Sequence, residues 1–330
     1  MEGRIASARG VAVSHAARLP DLLARDLGDE IIALLTEKDT LEIGRDPHSD
    51  RVWIHRRGQP RQRTPHRLSS SRVTEFLNRV ADAKGQVMTR RRPRLEASLP
   101  VRIFGGSRLT GHIPPIVRSP GLIIRTLPRK APNLESYVRD GIMTEAERQV
   151  LQQSVRERQN IFVVGGTGTG KTTLTMALLR LASQIYPEDR IVTIEDTAEL
   201  KVNAWSHCQL YTSEHRGMAD LIELALRLSP DRLVVGESRG RGILRLFDAM
   251  LTGHPGGIST FHAESARKAL RRMMIYCRRS SDTGAHRETI AEAVDLIVLL
   301  AGCGDTRRVQ EITAVDGLTG EGSFRLRFLT

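Results

Sequence analysis

The segment Gly165–Thr172 carries glycines, a lysine and a threonine at the spacing G-x-x-x-x-G-K-[ST], the pattern of a phosphate-binding loop. Glycines let several backbone N–H groups converge on an anion, because they accept positive φ values and have no side chain. The lysine of such a loop reaches the β- and γ-phosphates of a nucleotide, and the threonine offers its hydroxyl to Mg²⁺. The pattern therefore predicts a site for ATP and Mg²⁺. Its nucleotide-binding residues are Gly165, Gly166, Thr167, Gly168, Thr169, Gly170, Lys171, Thr172 and Thr173.

Three apolar runs downstream of the loop each end in a polar side chain that could act on a phosphate. Glu195 follows the first run, Glu237 follows the second after a single glycine, and His262 follows the third. Because ligands of open α/β sheets bind at the carboxyl ends of the strands, we expect these side chains to meet near the phosphates. The runs are Ile191–Ile194, Leu233–Val235 and Ile258–Phe261.

These side chains are the predicted catalytic groups, since hydrolysis needs a residue that orients water and charges that stabilise the transition state. Glu237 is expected to bind Mg²⁺ or to orient the attacking water, and Glu195 is a second candidate for orienting the water. Sequence alone leaves the division of roles between the two open. His262 could hydrogen-bond the γ-phosphate. A second histidine, His254, could belong to the site or lie in a loop that caps a helix.

The elements that must position these residues follow from the order of apolar and amphipathic segments. Apolar runs alternate with amphipathic helices over residues 131–330, which predicts an α/β domain with a largely parallel sheet. Ile161–Val164 is the strand expected before the phosphate loop. Helices are expected after Lys171, Met218, Gly242 and Ser265. Two strands near the sheet's edge are expected at Val309–Val315 and Phe324–Leu329.

Residues 1–130 have a different pattern, which predicts a smaller α+β domain that ends in a linker at Pro128–Pro132. Two short helices interrupted by Gly28 are expected within Ser14–Thr36, and a third helix is expected from Ser69–Ser71 to Lys84. Arg56–Arg67 is predicted to be a basic loop containing proline. The expected strands are Leu41–Ile43, Arg51–Ile54, Leu95–Leu99, Val101–Phe104 and Leu122–Ile124.

The charge, the cysteines and the apolar segments indicate the general class of the protein, but they do not identify its binding partner. The net charge of +12 permits contact with nucleic acid, anionic lipid or acidic proteins. Cys208, Cys277 and Cys303 have no zinc-site spacing, which indicates reduced cysteines in a cytoplasmic protein. No apolar signal segment is evident near Met1, and the apolar run Ile297–Ala301 is too short to cross a bilayer. Any membrane contact is therefore expected to be peripheral.

Four blocks occur in the order found in the secretion and conjugation ATPases. They resemble the Walker A motif, Asp box, Walker B motif and His box of that superfamily, in which a glycine commonly precedes the Walker B glutamate. Within it, the chain is most similar to the TrbB-type conjugal-transfer ATPases of type IV secretion systems, over roughly residues 20–328. The blocks are Gly165–Thr172, Ile194–Thr197, Pro230–Gly240 and Thr252–Ala263.

This resemblance implies an ATP-driven motor for conjugal DNA transfer or conjugative pilus assembly. It implies a homo-oligomer, expected to be a hexameric ring, at the cytoplasmic face of the inner membrane with other secretion-system components. The C-terminal domain would be RecA-like, with nucleotide between the two domains. Arg108 and Arg125 match the positions of arginines that reach the phosphates, with surface salt bridges as the alternative. Arg239 would bridge subunits or orient Glu237.

The sequence departs from the family's pattern at a few positions, and we expect these departures to affect partner contacts more than ATP binding. His48 and Ser49 stand in a turn that usually reads Asn-Pro-Asp-Gly. Arg241 and Arg245 add positive charge after the Walker B block, and Gln209–Tyr211 lacks an expected arginine.

Three alternatives remain beside the conjugation motor. A type II or type IV pilus motor is one, although three scattered cysteines cannot form the four-cysteine zinc site of the large assembly ATPases. A nucleotide-gated scaffold is less favoured because Glu195, Glu237 and His262 are all present. A helicase-like enzyme would suit Arg90–Arg92, but aromatic residues make up only 4% of the chain and base stacking needs them. Direct nucleic-acid binding therefore stays open.

Overall fold

The computed structural model describes residues 18–127, 132–213, 215–238, 240, 242–280 and 285–330. The chain forms two compact units, Met1–Arg129 and Lys130–Thr330. Most of the predicted linker, together with Arg239 and Arg241, lies outside the described residues. In the described part of the chain, no helix is long and apolar enough to cross a membrane.

The N-terminal unit contains a six-stranded sheet in which every strand pairing is antiparallel, in the order β3-β2-β1-β6-β5-β4. The strands are Thr40–Arg45 (β1), Arg51–Arg56 (β2), Gln62–Arg67 (β3), Arg94–Ser98 (β4), Arg108–His112 (β5) and Gly121–Arg125 (β6). The helices are residues 18–27 (α1), Asp29–Thr36 (α2), Ser70–Ala83 (α3) and Val101–Phe104 (α4).

The helix α3 packs on this sheet as its sequence predicts. Ser69 caps the helix, since its side chain accepts a hydrogen bond from the Arg72 amide. Val73, Phe76 and Leu77 recur at helical spacing and are fully buried against the strands. The interruption of the first helical segment at Gly28 is also confirmed.

Two predictions for this unit are wrong. Arg56–Arg67 is a loop only in its first half, because Gln62–Arg67 forms the edge strand β3, where Thr64 donates a hydrogen bond to the Val52 carbonyl. Charged side chains on an exposed edge strand hide the apolar alternation that would identify it. Val101–Phe104 is a single turn and not a strand, because the Gly105 amide donates to the Val101 carbonyl at 2.8 Å while Arg102 and Ile103 have non-helical backbone angles.

The C-terminal unit contains an eight-stranded sheet in the order β14-β13-β12-β7-β11-β10-β8-β9. The pairings from β12 to β9 are parallel, and β13 and β14 add to the edge as antiparallel strands. The strands are Ile161–Gly165 (β7), Ile191–Glu195 (β8), His207–Tyr211 (β9), Arg232–Val235 (β10), Ile258–Phe261 (β11), Leu296–Ala301 (β12), Arg308–Leu318 (β13) and Phe324–Phe328 (β14). The α/β class and the two strands near the sheet's edge are thereby confirmed.

Helices cover both faces of this sheet, which explains why its central strands are continuous apolar runs. In β7, Phe162 and Val164 join one core cluster, whereas Ile161 and Val163 join the other. Alternate residues of a strand point to opposite faces, so the two clusters lie on the two sides of the sheet. The helices are Leu134–Arg139 (α5), Glu145–Arg156 (α6), Lys171–Ile185 (α7), Met218–Leu226 (α8), Gly242–Leu251 (α9), Ala266–Ser280 (α10) and His286–Ala293 (α11), with a 3₁₀ turn at Gly304–Thr306.

Several elements of this unit have no counterpart among the predictions: α5, α6, α11, β9 and β12. The run LIVLLA of β12 has the length and composition typical of a buried strand. Helix α6 is mostly polar, and its start at Thr144 is a capping box with Glu147. The apolar run of β12 and the capping box of α6 are both sequence signals for these elements.

Candidate functional site

The phosphate loop connects the buried strand β7 to helix α7, which begins at Lys171. Gly168 and Gly170 have φ values of 79° and 93°, a left-handed conformation that favours glycine. Thr169 stabilises the loop from within, because its hydroxyl donates to the Gly166 carbonyl at 3.0 Å. The amides of the loop and of the first turn of α7 therefore form a site suited to an anion.

Lys171 is buried, and its ammonium group is held at the mouth of the loop. Nζ donates to the carbonyls of Gly165 at 3.0 Å and Gly166 at 2.7 Å. Nζ also lies 3.4 Å from Nδ1 of His262, which follows the neighbouring strand β11. The structure thus brings together two residues that are 91 positions apart in the sequence.

Glu237 and His262 form a contact at the ends of β10 and β11, which are adjacent and parallel. Glu237 Oε1 lies 3.2 Å from His262 Nε2, and their side chains remain 22% and 31% exposed. With Nδ1 accepting from Lys171, the ring would carry its hydrogen on Nε2 and donate it to Glu237. Lysine, histidine and glutamate then form one chain of hydrogen bonds.

A cleft of about 510 Å³ opens beside this contact. Its residues come from the phosphate loop, from the ends of β10 and β11, and from helix α10. They are Thr167, Glu237, Ser238, Phe261, His262, Arg272 and Tyr276.

Glu195 lies at the end of β8, beside β10, but one oxygen of its carboxylate accepts hydrogen bonds from backbone amides. The residue is 3% exposed, and Oε1 accepts the amides of Glu199 at 3.1 Å and Leu200 at 3.0 Å. A Cβ on Gly236 would lie 3.0 Å from the Glu195 Cγ, so the glycine leaves room for this side chain. This close approach gives a physical reason for the Gly-Glu form of the Walker B block.

His254 lies away from the cleft. It precedes β11, whereas His262 follows it, so the two histidines are at opposite ends of that strand. Nδ1 of His254 contacts the Pro230 carbonyl at 2.8 Å. The structure therefore favours a loop histidine over a site residue.

Arg108 and Arg125 are cross-strand partners in the N-terminal unit, on β5 and β6. Arg125 Nη2 donates to Glu42 Oε1 at 2.7 Å, and its side chain is 50% exposed. Burial raises the pKa of Glu42, but hydrogen bonds and the positive charges of Arg125 and Arg61 outweigh burial and hold that pKa below its usual value. Arg125 thus forms the salt bridge that was the alternative to a phosphate contact.

Four residues of the cleft were not predicted as site residues from the sequence: Ser238, Phe261, Arg272 and Tyr276. Arg272 Nη1 donates to the His262 carbonyl at 2.8 Å, and its guanidinium lies over the ring of Tyr276 at 5.7 Å. The Ser238 amide donates to the Thr260 carbonyl at 3.2 Å, joining β10 to β11 beyond their last paired residues. The i, i+4 spacing of Arg272 and Tyr276 on α10 was the available signal.

Three of the residues that depart from the family's pattern have local partners: Ser49, Gln209 and Arg245. Ser49 closes its turn, since its amide donates to the Asp46 carbonyl and its hydroxyl accepts from the Arg51 amide. Gln209 donates to the Leu200 carbonyl at 3.0 Å, and Arg245 pairs with Glu223 at 3.2 Å.

The oxygen donors at the start of α7 and after β10 are of a kind that suits a metal ion held mainly by a nucleotide. Within the described ranges no three His, Cys, Asp or Glu side chains are grouped as metal ligands. Mg²⁺ in phosphate sites needs only one or two protein oxygens and keeps several waters. The Thr172 hydroxyl and the Glu237 carboxylate are donors of this kind, and the residues present therefore fit Mg²⁺.

The chain matches the family described as Type II/IV secretion system protein over residues 46–319. It is 37% identical to the probable conjugal transfer protein TrbB of Sinorhizobium fredii over 299 residues, which cover 91% of this chain and 90% of the relative. It is 32% identical to the type IV secretion system protein PtlH of Bordetella pertussis over 327 residues, covering 86% and 93%. A crystal structure of the pilus retraction motor PilT with bound ADP shares its fold, with a TM-score of 0.61, 20% identity and coverage of 91% and 81%.

Proposed function

The chain belongs to the type II/IV secretion system protein family, and from this premise we propose how its residues hydrolyse ATP. It is an ATPase of type IV secretion and conjugal transfer, as the resemblance of its motifs predicted. The observation that carries the proposed mechanism is the contact chain from Lys171 through His262 to Glu237 at the end of the phosphate loop.

The loop amides and the start of α7 would bind the phosphates of ATP. On binding, Lys171 would exchange its bonds to the Gly165 and Gly166 carbonyls for bonds to the β- and γ-phosphate oxygens. Mg²⁺ held by Thr172 and Glu237 would neutralise charge on those phosphates. Because Lys171 is already within 3.4 Å of His262, the γ-phosphate end would lie toward β11 and the cleft.

Glu237 is the proposed residue that orients the attacking water, since its carboxylate lines the cleft and is within reach of solvent. His262 Nε2–H holds that carboxylate. When Lys171 moves to the phosphates, His262 Nδ1 loses its donor and can report the presence of the γ-phosphate. Glu195 would act indirectly by fixing the loop after β8, and we assign Arg239 the orientation of Glu237 or a contact between subunits.

We further propose the higher-order features that the family resemblance implies. The RecA-like domain over residues 131–330 would hydrolyse ATP in a hexameric ring at the cytoplasmic face of the inner membrane, with the α+β domain over residues 1–130 closing on the nucleotide. Arg125 would exchange Glu42 for a phosphate in that closed state, with Arg108 beside it. An arginine supplied in this way can raise the rate by about 10³–10⁵. Conjugative pilus assembly and DNA transfer are both compatible with this motor.

Substitution of Lys171 tests the proposed site. Lys171→Ala is expected to lower ATP affinity and to abolish hydrolysis, because it removes the cation that reaches two phosphates. ATP turnover by phosphate release and ATP affinity by calorimetry are the measurements. Lys268→Ala is the matched control, since Lys268 is 65% exposed and pairs with Glu264 on the outer face of α10. A Lys171→Ala protein with wild-type turnover would refute the assignment.

A further inference from the structure

Arg307 lies against the phosphate loop on the side away from the cleft. It follows strand β12 through the 3₁₀ turn Gly304–Thr306, and β12 flanks β7 opposite β11. A Cβ on Gly170 would lie 2.9 Å from Arg307 Nε and 3.0 Å from Cζ, so the guanidinium packs directly on that glycine. Arg307 Nη2 also makes a long hydrogen bond of 3.5 Å to the Gly168 carbonyl.

In the described part of the chain, no carboxylate side chain forms an ion pair with Arg307, and its Nε is buried without an acceptor. Tyr137, a neutral residue, is near enough to feel the charge of Arg307, and its hydroxyl is likewise buried without a described partner. A half-buried guanidinium lacking a counter-charge is costly, and an anion in this place would remove the cost.

The position of the cleft gives the direction in which a nucleotide would extend. The γ-phosphate is assigned to the β11 side, where Lys171 meets His262. The rest of the nucleotide must leave the loop on the other side, toward β12 and the turn that carries Arg307. This step rests on the proposed function, because it uses the assignment of His262 to the γ-phosphate side.

We infer that Arg307 is a nucleotide-binding residue, which donates from the β12–β13 connection to the phosphate nearest the ribose of a nucleoside di- or triphosphate. A planar guanidinium with several N–H donors suits phosphate oxygens, and the existing contact with Gly168 holds it beside the loop. Its contribution is to affinity and not to the chemical step. ADP and ATP both contain the phosphate it contacts, so both should depend on it.

Arg307→Ala is expected to raise the Kd for ADP by about 10–100-fold, the range for a hydrogen bond to a charged group. The KM for ATP should rise with it, whereas kcat at saturating ATP should stay within about 3-fold, because the lost contact is made equally in the ground and transition states. Calorimetry with ADP and steady-state kinetics with ATP are the measurements. Arg308→Ala is the matched control, since Arg308 is the exposed next residue.

Arg307→Lys keeps the charge and loses the planar fork, so its Kd for ADP should fall between those of the wild-type protein and Arg307→Ala. If a thermal melt without nucleotide shows that the alanine variant does not fold, Arg307→Lys alone tests the inference. ADP binding does not need turnover, so the two proposals can fail separately. If the wild-type protein binds ADP through Arg307 but does not hydrolyse ATP, only the proposed function is refuted. A Kd for ADP within 2-fold of wild type in both variants would overturn the inference, as would a fall in kcat at unchanged Kd.

Discussion

His262 lies between a cation and an anion, which is what distinguishes it from an ordinary histidine after a buried strand. Its two ring nitrogens contact Lys171 and Glu237, so one side chain links the phosphate loop to the candidate for water activation. The sequence predicted all three residues, because His262 directly follows a buried strand, Glu237 follows one after a single glycine, and Lys171 belongs to the loop motif. It could not predict that the carboxylate of Glu195 would bond to backbone amides. That difference depends on a rotamer and on the path of the following loop.

Arg272 is expected to position His262, since its guanidinium donates to the His262 carbonyl. Arg272→Ala should lower kcat about tenfold with little change in ATP affinity, because the net value of one such hydrogen bond corresponds to about a factor of ten. Steady-state kinetics at saturating ATP is the measurement. Arg271→Ala, one position away and exposed, should behave as wild type. If the two variants have equal kcat, Arg272 has no positioning role.

At the scale of elements, the parallel strands β7, β8, β10 and β11 were predicted because a continuous apolar run is typical of a strand whose sheet is covered by helices on both faces. The strand β5 was not, since its sequence RLTGH places a glycine where an apolar residue would complete the alternation. The structure explains that glycine, because Leu77 of α3 packs into the space a side chain would fill. Close packing between a helix and a sheet depends on tertiary structure, so the local periodicity of the sequence cannot predict it.

The packing of Leu77 on Gly111 leads to a prediction for stability. Gly111→Ala should lower the free energy of unfolding of the N-terminal unit by about 1–3 kcal/mol, because the added methyl group overlaps the Leu77 side chain. Thermal and urea melts would measure it. Gly320→Ala is the matched substitution, since a Cβ there meets no atom within 4 Å. Equal melting of the two variants would show that the sheet and α3 adapt without cost.

At the scale of the molecule, the four ordered motif blocks identified the family, and the matches to known proteins confirm it. The motifs succeed because nucleotide chemistry fixes residue types at fixed places in the fold. Composition was less informative, since a net charge of +12 is compatible with lipid, nucleic acid or acidic protein. How copies of the chain would assemble depends on surfaces whose pattern no short motif encodes.

In the proposed mechanism, Glu237 orients the attacking water while the phosphate loop holds ATP. The most direct measurement is single-turnover hydrolysis of bound ATP by wild-type protein and by Glu237→Gln, with ATP affinity measured on the same samples. Glu264→Gln is the control, because Glu264 is an exposed glutamate paired only with Lys268 among the described residues. We expect Glu237→Gln to bind ATP within a few-fold of wild type and to hydrolyse it at least about 10²-fold more slowly. Wild-type hydrolysis by Glu237→Gln would contradict the claim.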